Sequence, residues 1–290
     1  DGAGTRLARD LLRASGGKAG NVAVIIRRLG GEVRLVGCVG DDDLAVQALA
    51  GPRADGVETT SVCRIKCATG FASIHVAGDG EKTIVLTPNA NDEWPLEPNR
   101  VARTVTAAPT ASVLVADVEI PPAIVVASAR AARDAGMRVV LDPAPPERVP
   151  ETLLGLVDHL TPDHREAEAL TGIDARSRDG ARRAAEALRA RGVAAVSVKL
   201  DGGGCVVACN GGLETIEAPE VRAVDTTGAG DAFAGALAWA VASGCGQAEA
   251  AAWGVTASAY AVQTYGSQAA YPTLDELTRL RATVDAPSPP

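Results

Sequence analysis

From residue 101 onward the chain alternates short, wholly apolar runs with stretches in which apolar residues recur every three or four positions. The runs "ASVLVAD" (111–117) and "MRVVLDP" (137–143) lack an in–out alternation, which predicts strands buried on both faces. Between them "PPAIVVASARAARDAG" (121–136) has the helical period, with prolines at its start and a glycine at its end. A helix after Pro150, a short strand near "VDHLTP", a helix from Arg178 to Arg191 and the strand "AAVSVKL" (194–200) continue the series. Repetition of this kind predicts an α/β fold, a doubly wound and mostly parallel sheet with helices on both faces. Residues 32–87 differ: "EVRLVGCVG", "VETTSVCRIK", "TGFASIHVAGDG" and "EKTIVLT" are short alternating runs parted by Gly and Asp turns. They predict several antiparallel strands forming a small β lid. On this reading residues 1–31 and 88–290 build the main domain, and 32–87 supply the lid and one entry strand.

Composition narrows the function without naming it. The 290 residues carry a net charge of −8, which disfavours nucleic acid and anionic membrane surfaces as partners, so an anionic ligand needs a local positive site. No run has the length of apolar residues that a membrane span requires, and none has the order of a signal peptide. The six cysteines, Cys38, Cys63, Cys67, Cys205, Cys209 and Cys245, lack the spacing of zinc or redox sites. They read as free core thiols of a cytoplasmic protein.

The stretch "VDTTGAGDAFAGALAWAV" (224–241) carries the chemistry. Gly228, Ala229 and Gly230 precede a helix in which Phe233, Leu237 and Val241 recur at helical spacing. At a helix N-terminus unpaired backbone N–H groups and the positive end of the dipole converge, and glycines let an anion approach the backbone. Asp231 falls in the first turn, where a carboxylate can accept the proton of an attacking hydroxyl. The pairing suggests phosphoryl transfer to an alcohol. The plainer alternative is a tight turn with Asp231 capping its helix. Neither a GxGxxG nor a GxxxxGK[ST] motif is present, so a nicotinamide-dependent oxidoreductase lacks its fingerprint.

"DTTGAGDAFAGAL" resembles the second signature of the ribokinase-like (PfkB) sugar kinases. The first signature is matched by "GGKAGNVAVIIRRLGGEVRLVGCVGDD" from Gly16 to Asp42. "VADVEIPP", "VLDPAPPERVPETLLGLVDHLTPDHREAEALTGI" and "VKLDGGGCVV" resemble further segments of the family, most closely of its ribokinase branch. The resemblance covers nearly the whole chain. It implies an ATP-dependent kinase in which Asp231 is the catalytic base and the backbone of Gly228, Ala229 and Gly230 forms an anion hole. It places Gly17, Lys18, Asn21 and Glu119 on the sugar hydroxyls. Asp163, Lys199, Asp201 and Gly204 are implied on the ATP side, with Glu166 holding Mg2+, through water. Asp225, Thr227, Ala261, Thr264 and Gly266 are implied around a monovalent cation such as K+.

For several of these residues the plain reading of the sequence stays open. Asn21 also suits a helix-start cap, Glu119 a solvated loop acid, and Asp163 with Glu166 a capping box. The chain departs from the family pattern at Asp163, which stands for an asparagine, at Asp201, which stands for a glycine, and at Ala270, which stands for a serine. The family's first strand, which brings an aspartate to the sugar, is not expected within "DGAGTRLARDLLRASGG", which leaves one sugar ligand of the family pattern unassigned. Expected substrates are ribose-like pentoses, then fructose, 2-keto-3-deoxygluconate or a nucleoside. The alternative is a sugar- or nucleotide-binding protein that does no chemistry. A homodimer joined through the lid strands is the expected assembly.

Overall fold

A computed structural model describes residue 8 and residues 10–77, 82–95, 97–108 and 112–285. Helix α1 (Lys18–Arg28) is the first element and leads to strand β1 (Gly37–Val39), helix α2 (Asp43–Ala54) and strand β2 (Val62–Arg64). Strands β3 (Phe71–Val76) and β4 (Lys82–Thr87) follow, then helix α3 (Pro98–Thr106). The alternating part comprises β5 (Val113–Ala116), α4 (Pro122–Asp134), β6 (Arg138–Leu141), α5 (Glu151–Leu154), β7 (His159–Leu160), α6 (His164–Thr171), α7 (Arg178–Ala190) and β8 (Ala195–Lys199). Strands β9 (Cys205–Cys209) and β10 (Gly212–Ile216) then precede α8 (Ala229–Ala242), α9 (Gln247–Ala261) and α10 (Leu274–Asp285).

The main sheet runs β10-β9-β8-β7-β6-β5. Strands β5 to β8 are parallel, and β9 and β10 close one side as an antiparallel hairpin. Alternate residues enter different cores, as a pleated strand requires. On β6, Val139 and Leu141 pack with Leu153, Leu160, Leu188 and Val196 on one face, while Val140 packs with Phe233 and Leu237 on the other. Helices on both sides leave the central strands β6, β7 and β8 almost no solvent face, hence their mostly apolar runs in the sequence. All six cysteines are free thiols, and among the described residues no group of His, Cys, Asp and Glu is arranged to hold a metal. Among them, too, no helix is long and apolar enough to cross a membrane.

Residues 32–87 correct the expectation in part. Strands β3 and β4 are antiparallel as predicted, pairing from Phe71 with Thr87 to Val76 with Lys82. Strands β1 and β2 are instead parallel, with Cys38 opposite Cys63. A parallel pair needs a crossover, and α2 is that crossover. Its start is fixed by Asp42, whose carboxylate accepts from the Ala45 N–H at 3.0 Å, and Ala45 and Leu49 anchor it in the core. The same Asp42 carboxylate accepts from Thr69 N at 2.8 Å and Thr69 Oγ1 at 2.5 Å, so one acid ties the helix to the base of the β3–β4 ribbon.

Candidate active site

The site forms where the parallel strands end. Each strand of β5 to β8 delivers a polar residue just beyond its C-terminus: Asp117 and Glu119 after β5, Asp142 after β6, Asp163 and Glu166 after β7, and Lys199 at the end of β8. An open α/β sheet places its ligand crevice here, where strand ends and helix starts converge.

Helices α1 and α8 close the crevice from one side, and their close approach depends on a missing side chain. A Cβ on Gly235 would lie 2.3 Å from Ile25 Cγ2 and 3.2 Å from the Val22 carbonyl. This contact brings Asn21 against Asp231. Asn21 Nδ2 donates to Asp231 Oδ2 at 2.7 Å, and Gln268 Nε2 donates to Asn21 Oδ1 at 3.0 Å. With its carbonyl taken by Gln268, the Asn21 amide turns its N–H toward the carboxylate. Lys18 Nζ lies 3.7 Å from Asp231 Oδ1 and 3.0 Å from Asp142 Oδ2. Asp231 is only 7% exposed and points inward. Burial pushes its carboxyl above the ordinary Asp range, with Lys18 and Asn21 pulling against that, so it is a stronger base than a surface aspartate.

The glycine stretch forms the start of α8. Gly228 is the residue before the helix, with φ 75°, and Tyr271 Oη donates to its carbonyl at 3.0 Å. Among the described residues no internal acceptor engages the N–H groups of Gly228 and Gly230. The Ala229 N–H differs: it donates to the Thr226 carbonyl at 3.3 Å. Two of the three expected amides are thus open to a ligand, and the third is held in a long bond. Lys199 Nζ lies 3.4 Å from where a Cβ on Gly230 would sit, which sets a positive charge against the same nest.

Glu119 carries no side-chain hydrogen bond among the described residues. Burial, with Asp117 nearby, raises its pKa to about 7, and burial raises Asp117 to about 6. Lys18 is the charge that opposes both shifts. Raised carboxyl values mean that the folded protein holds protons that the unfolded chain has released. Between about pH 4.5 and 7 the Glu119 contribution to stability therefore falls as pH rises. Glu119→Gln is expected to flatten that part of the profile and to melt above the wild type at pH 8, as thermal unfolding across pH would record.

Asp163 and Glu166 form the capping box of α6: Glu166 N donates to Asp163 Oδ1 at 2.8 Å, and Asp163 N donates to Glu166 Oε2 at 2.7 Å. Only one Glu166 oxygen is used in this way. Burial raises Glu166 to about 7 against the pull of Lys199. A buried, half-satisfied carboxylate at the crevice fits a hard cation reached through water. Asp201 is exposed in the β8–β9 turn, and Gly204 in the same turn has φ 77°, with Ile216 O 2.5 Å from any Cβ. Gly17, with φ 89°, precedes α1 and accepts from Asn21 N at 2.9 Å.

Asp225 links the two loops behind the nest. Its Oδ1 accepts from Thr227 N and Oγ1 at 3.0 and 2.8 Å, and its Oδ2 accepts from Gly266 N at 3.0 Å. Val262, which the sequence did not single out, receives the N–H groups of Val224 and Asp225 through its carbonyl. Thr264 N reaches the Ala261 carbonyl at 3.4 Å. The structure thus gathers Asp225, Thr227, Ala261, Thr264 and Gly266 in one loop pair. One carboxylate among carbonyls and a hydroxyl is a hard, weakly charged donor set, suited to a monovalent cation rather than a transition metal.

The chain carrying this arrangement is similar to known proteins along nearly its whole length. Residues 3–274 match the pfkB family carbohydrate kinase pattern. The chain belongs to that family. As a pfkB carbohydrate kinase it is 33% identical over 264 residues to the ribokinase of Haemophilus influenzae, covering 91% of this chain and 86% of that one. Its fold is similar to the ribokinase structure from Thermotoga maritima, with TM-score 0.82, 30% identity and coverage of 96% of this chain and 91% of the other. It is similar too to Arabidopsis thaliana ribokinase complexed with ribose and ATP, with TM-score 0.85, 27% identity and coverage of 96% and 90%. The protein is therefore a sugar kinase on a ribokinase-like fold.

Proposed function

We propose that the protein transfers the terminal phosphoryl group of ATP to the primary hydroxyl of ribose or a closely related sugar. The observation that carries this reading is the inward Asp231 carboxylate one residue beyond the open Gly230 amide. The sugar lies over Glu119, Asp117 and the start of α1, where a carboxylate and a lysine meet its hydroxyls. Such groups, left unpaired, reject an analogue that lacks the matching hydroxyl. Asp231 accepts the proton of the attacking hydroxyl, oriented by Asn21. The N–H groups of Gly228 and Gly230, with Lys199, hold the charge that develops on the phosphoryl oxygens. Glu166 would hold a divalent cation through water, and the Asp225 and Gly266 loops would hold a monovalent one; when bound, these ions would supply positive charge to the triphosphate and to the backbone behind the nest.

Support for ATP and ribose comes from the similar plant ribokinase, which was solved with both. The test is a mass-spectrometric screen for phosphorylated products over pentoses, fructose, 2-keto-3-deoxygluconate and nucleosides with ATP. Ribose 5-phosphate is the expected leading product. Binding without product from any of them would favour the non-catalytic alternative.

The lid supports an assembly of two copies. In the β3–β4 register, Ala72, Ile74, Val76, Ile84 and Leu86 share one face, and Ile74, Val76, Ile84 and Leu86 are 40–57% exposed. A two-stranded ribbon with a bare apolar face is marginal alone, and a second ribbon laid on it supplies the missing layer. Light scattering is expected to give twice the monomer mass, and Ile74→Lys with Ile84→Lys is expected to return the monomer.

A further inference from the structure

Asp142 was not marked by the sequence, where "VVLDP" reads as a strand running into a turn. In the structure its side chain is 5% exposed and sits between two ammonium groups. Oδ2 accepts from Lys18 Nζ at 3.0 Å. Oδ1 faces Lys199 Nζ at 3.9 Å and accepts no hydrogen bond among the described residues. Lys18 continues to Asp231 at 3.7 Å, while Lys199 continues to the Gly230 nest. One row of alternating charge therefore runs from the catalytic base, through Lys18 and Asp142, to the lysine at the phosphate end.

We infer that Asp142 is the positioning residue that holds the sugar-side and phosphate-side lysines in register, so that base and nest are aligned across one phosphoryl-transfer distance. The inference rests on the phosphotransfer reading above and deepens it. Without the carboxylate, Lys18 and Lys199 lose the anion that sits between them and are left to Asp231 and Glu166, toward which both are free to swing. The unequal distances have a use. Lys18 is fixed by a hydrogen bond, whereas Lys199 is held by charge alone and has no hydrogen-bond acceptor among the described residues, so its three N–H groups stay available to phosphoryl oxygens. A buried carboxylate oxygen left without a hydrogen bond costs stability, and a purely structural aspartate would have had that oxygen satisfied. Burial alone would raise Asp142, yet Lys199 and Lys18 bring its carboxyl below the usual range, so it is an anion at the pH of the reaction.

Asp142→Asn keeps the shape and removes the charge. It is expected to lower kcat on the order of 10²-fold, the scale of a misaligned reactive pair, and to raise KM for both the sugar and ATP. Its melting temperature is expected to fall, because the Lys18 and Lys199 pairs lose their shared anion, and kinetics are read where the variant is still folded; a purely structural role would leave kcat and both KM values of the folded fraction unchanged. Paired with Lys199→Met, the double variant is expected to lose little more than the worse single one, because both act through the same row. Independent effects would multiply instead, and would overturn the inference. Should Asp142→Asn not fold, the lysines read the link from either side: Lys18→Met is expected to raise KM for ATP, and Lys199→Met that for the sugar. Unchanged cross values overturn the inference. An active wild type with an equally active Asp142→Asn overturns this inference alone. A wild type that phosphorylates no sugar overturns the phosphotransfer reading and this one with it.

Discussion

Asp231→Asn is expected to lower kcat about 10³-fold, equivalent to about 4 kcal/mol of transition-state stabilisation, within the range that a positioned general base supplies. Asparagine fills the same space, so the packing of α1 on α8 around Gly235 is unchanged. What is lost is the acceptor for the hydroxyl proton. Asn21 donates to Asp231 Oδ2 at 2.7 Å, and an asparagine oxygen can still accept that bond. Sugar and ATP binding, measured by calorimetry, should therefore stay near the wild-type values while turnover collapses. The split matters because weaker binding would signal a disturbed crevice rather than a missing base. Turnover within about tenfold of the wild type would remove Asp231 from the role of base.

Gly228→Ala is expected to damage both fold and activity, for a different reason. At φ 75° an alanine is strained by about 1–2 kcal/mol before any contact is counted. Its Cβ would also lie 2.6 Å from Ser267 Cβ and from Tyr271 Oη. Relief requires moving the loop, which withdraws the Gly228 amide from the nest and breaks the Tyr271 bond to its carbonyl at 3.0 Å. Loss of one preorganised donor of this kind costs about 10²–10³-fold in kcat. Overpacking adds roughly 1–3 kcal/mol of instability. Gly155→Ala is the control: φ is −68° and nothing lies within 4 Å of the new Cβ, so stability and turnover should stay close to the wild type. Chemical denaturation alongside steady-state kinetics reads both effects.

Strands β5, β6 and β8 were readable in the sequence because a place inside the helix layers leaves them short, mostly apolar runs such as Val113–Ala116 and residues 139–141, a local signature. The start of α8 was readable for a similar reason, since a glycine pair ahead of an acid and an apolar helix is a short-range pattern. The pairing of β1 with β2 was not readable that way. Short alternating runs look alike in parallel and antiparallel sheets, and what decides the pairing is α2, whose interior Pro52 and polar residues mask its helical period. Asp142 and Gln268 escaped for a deeper reason. Their partners stand 124 and 247 residues away in the chain, and no spacing rule reaches that far. Lys18 was placed on the sugar by resemblance alone, and its pairing with Asp142 and Asp231 had no sign in the sequence. The closeness of Asp225 to Gly266 was expected only through resemblance, because backbone carbonyls and amides leave no trace in residue identity.

Because the tip after β5 and the start of α8 come from separate parts of the chain, the residues expected to greet the acceptor molecule and those expected to grip the donor can vary independently in sequence. What joins the 117–119 tip to Asp231 is charge, since Asp117 and Glu119 both feel its carboxylate. A chain built this way can trade one alcohol for another by editing a short tip, leaving the machinery that handles the nucleotide as it stands.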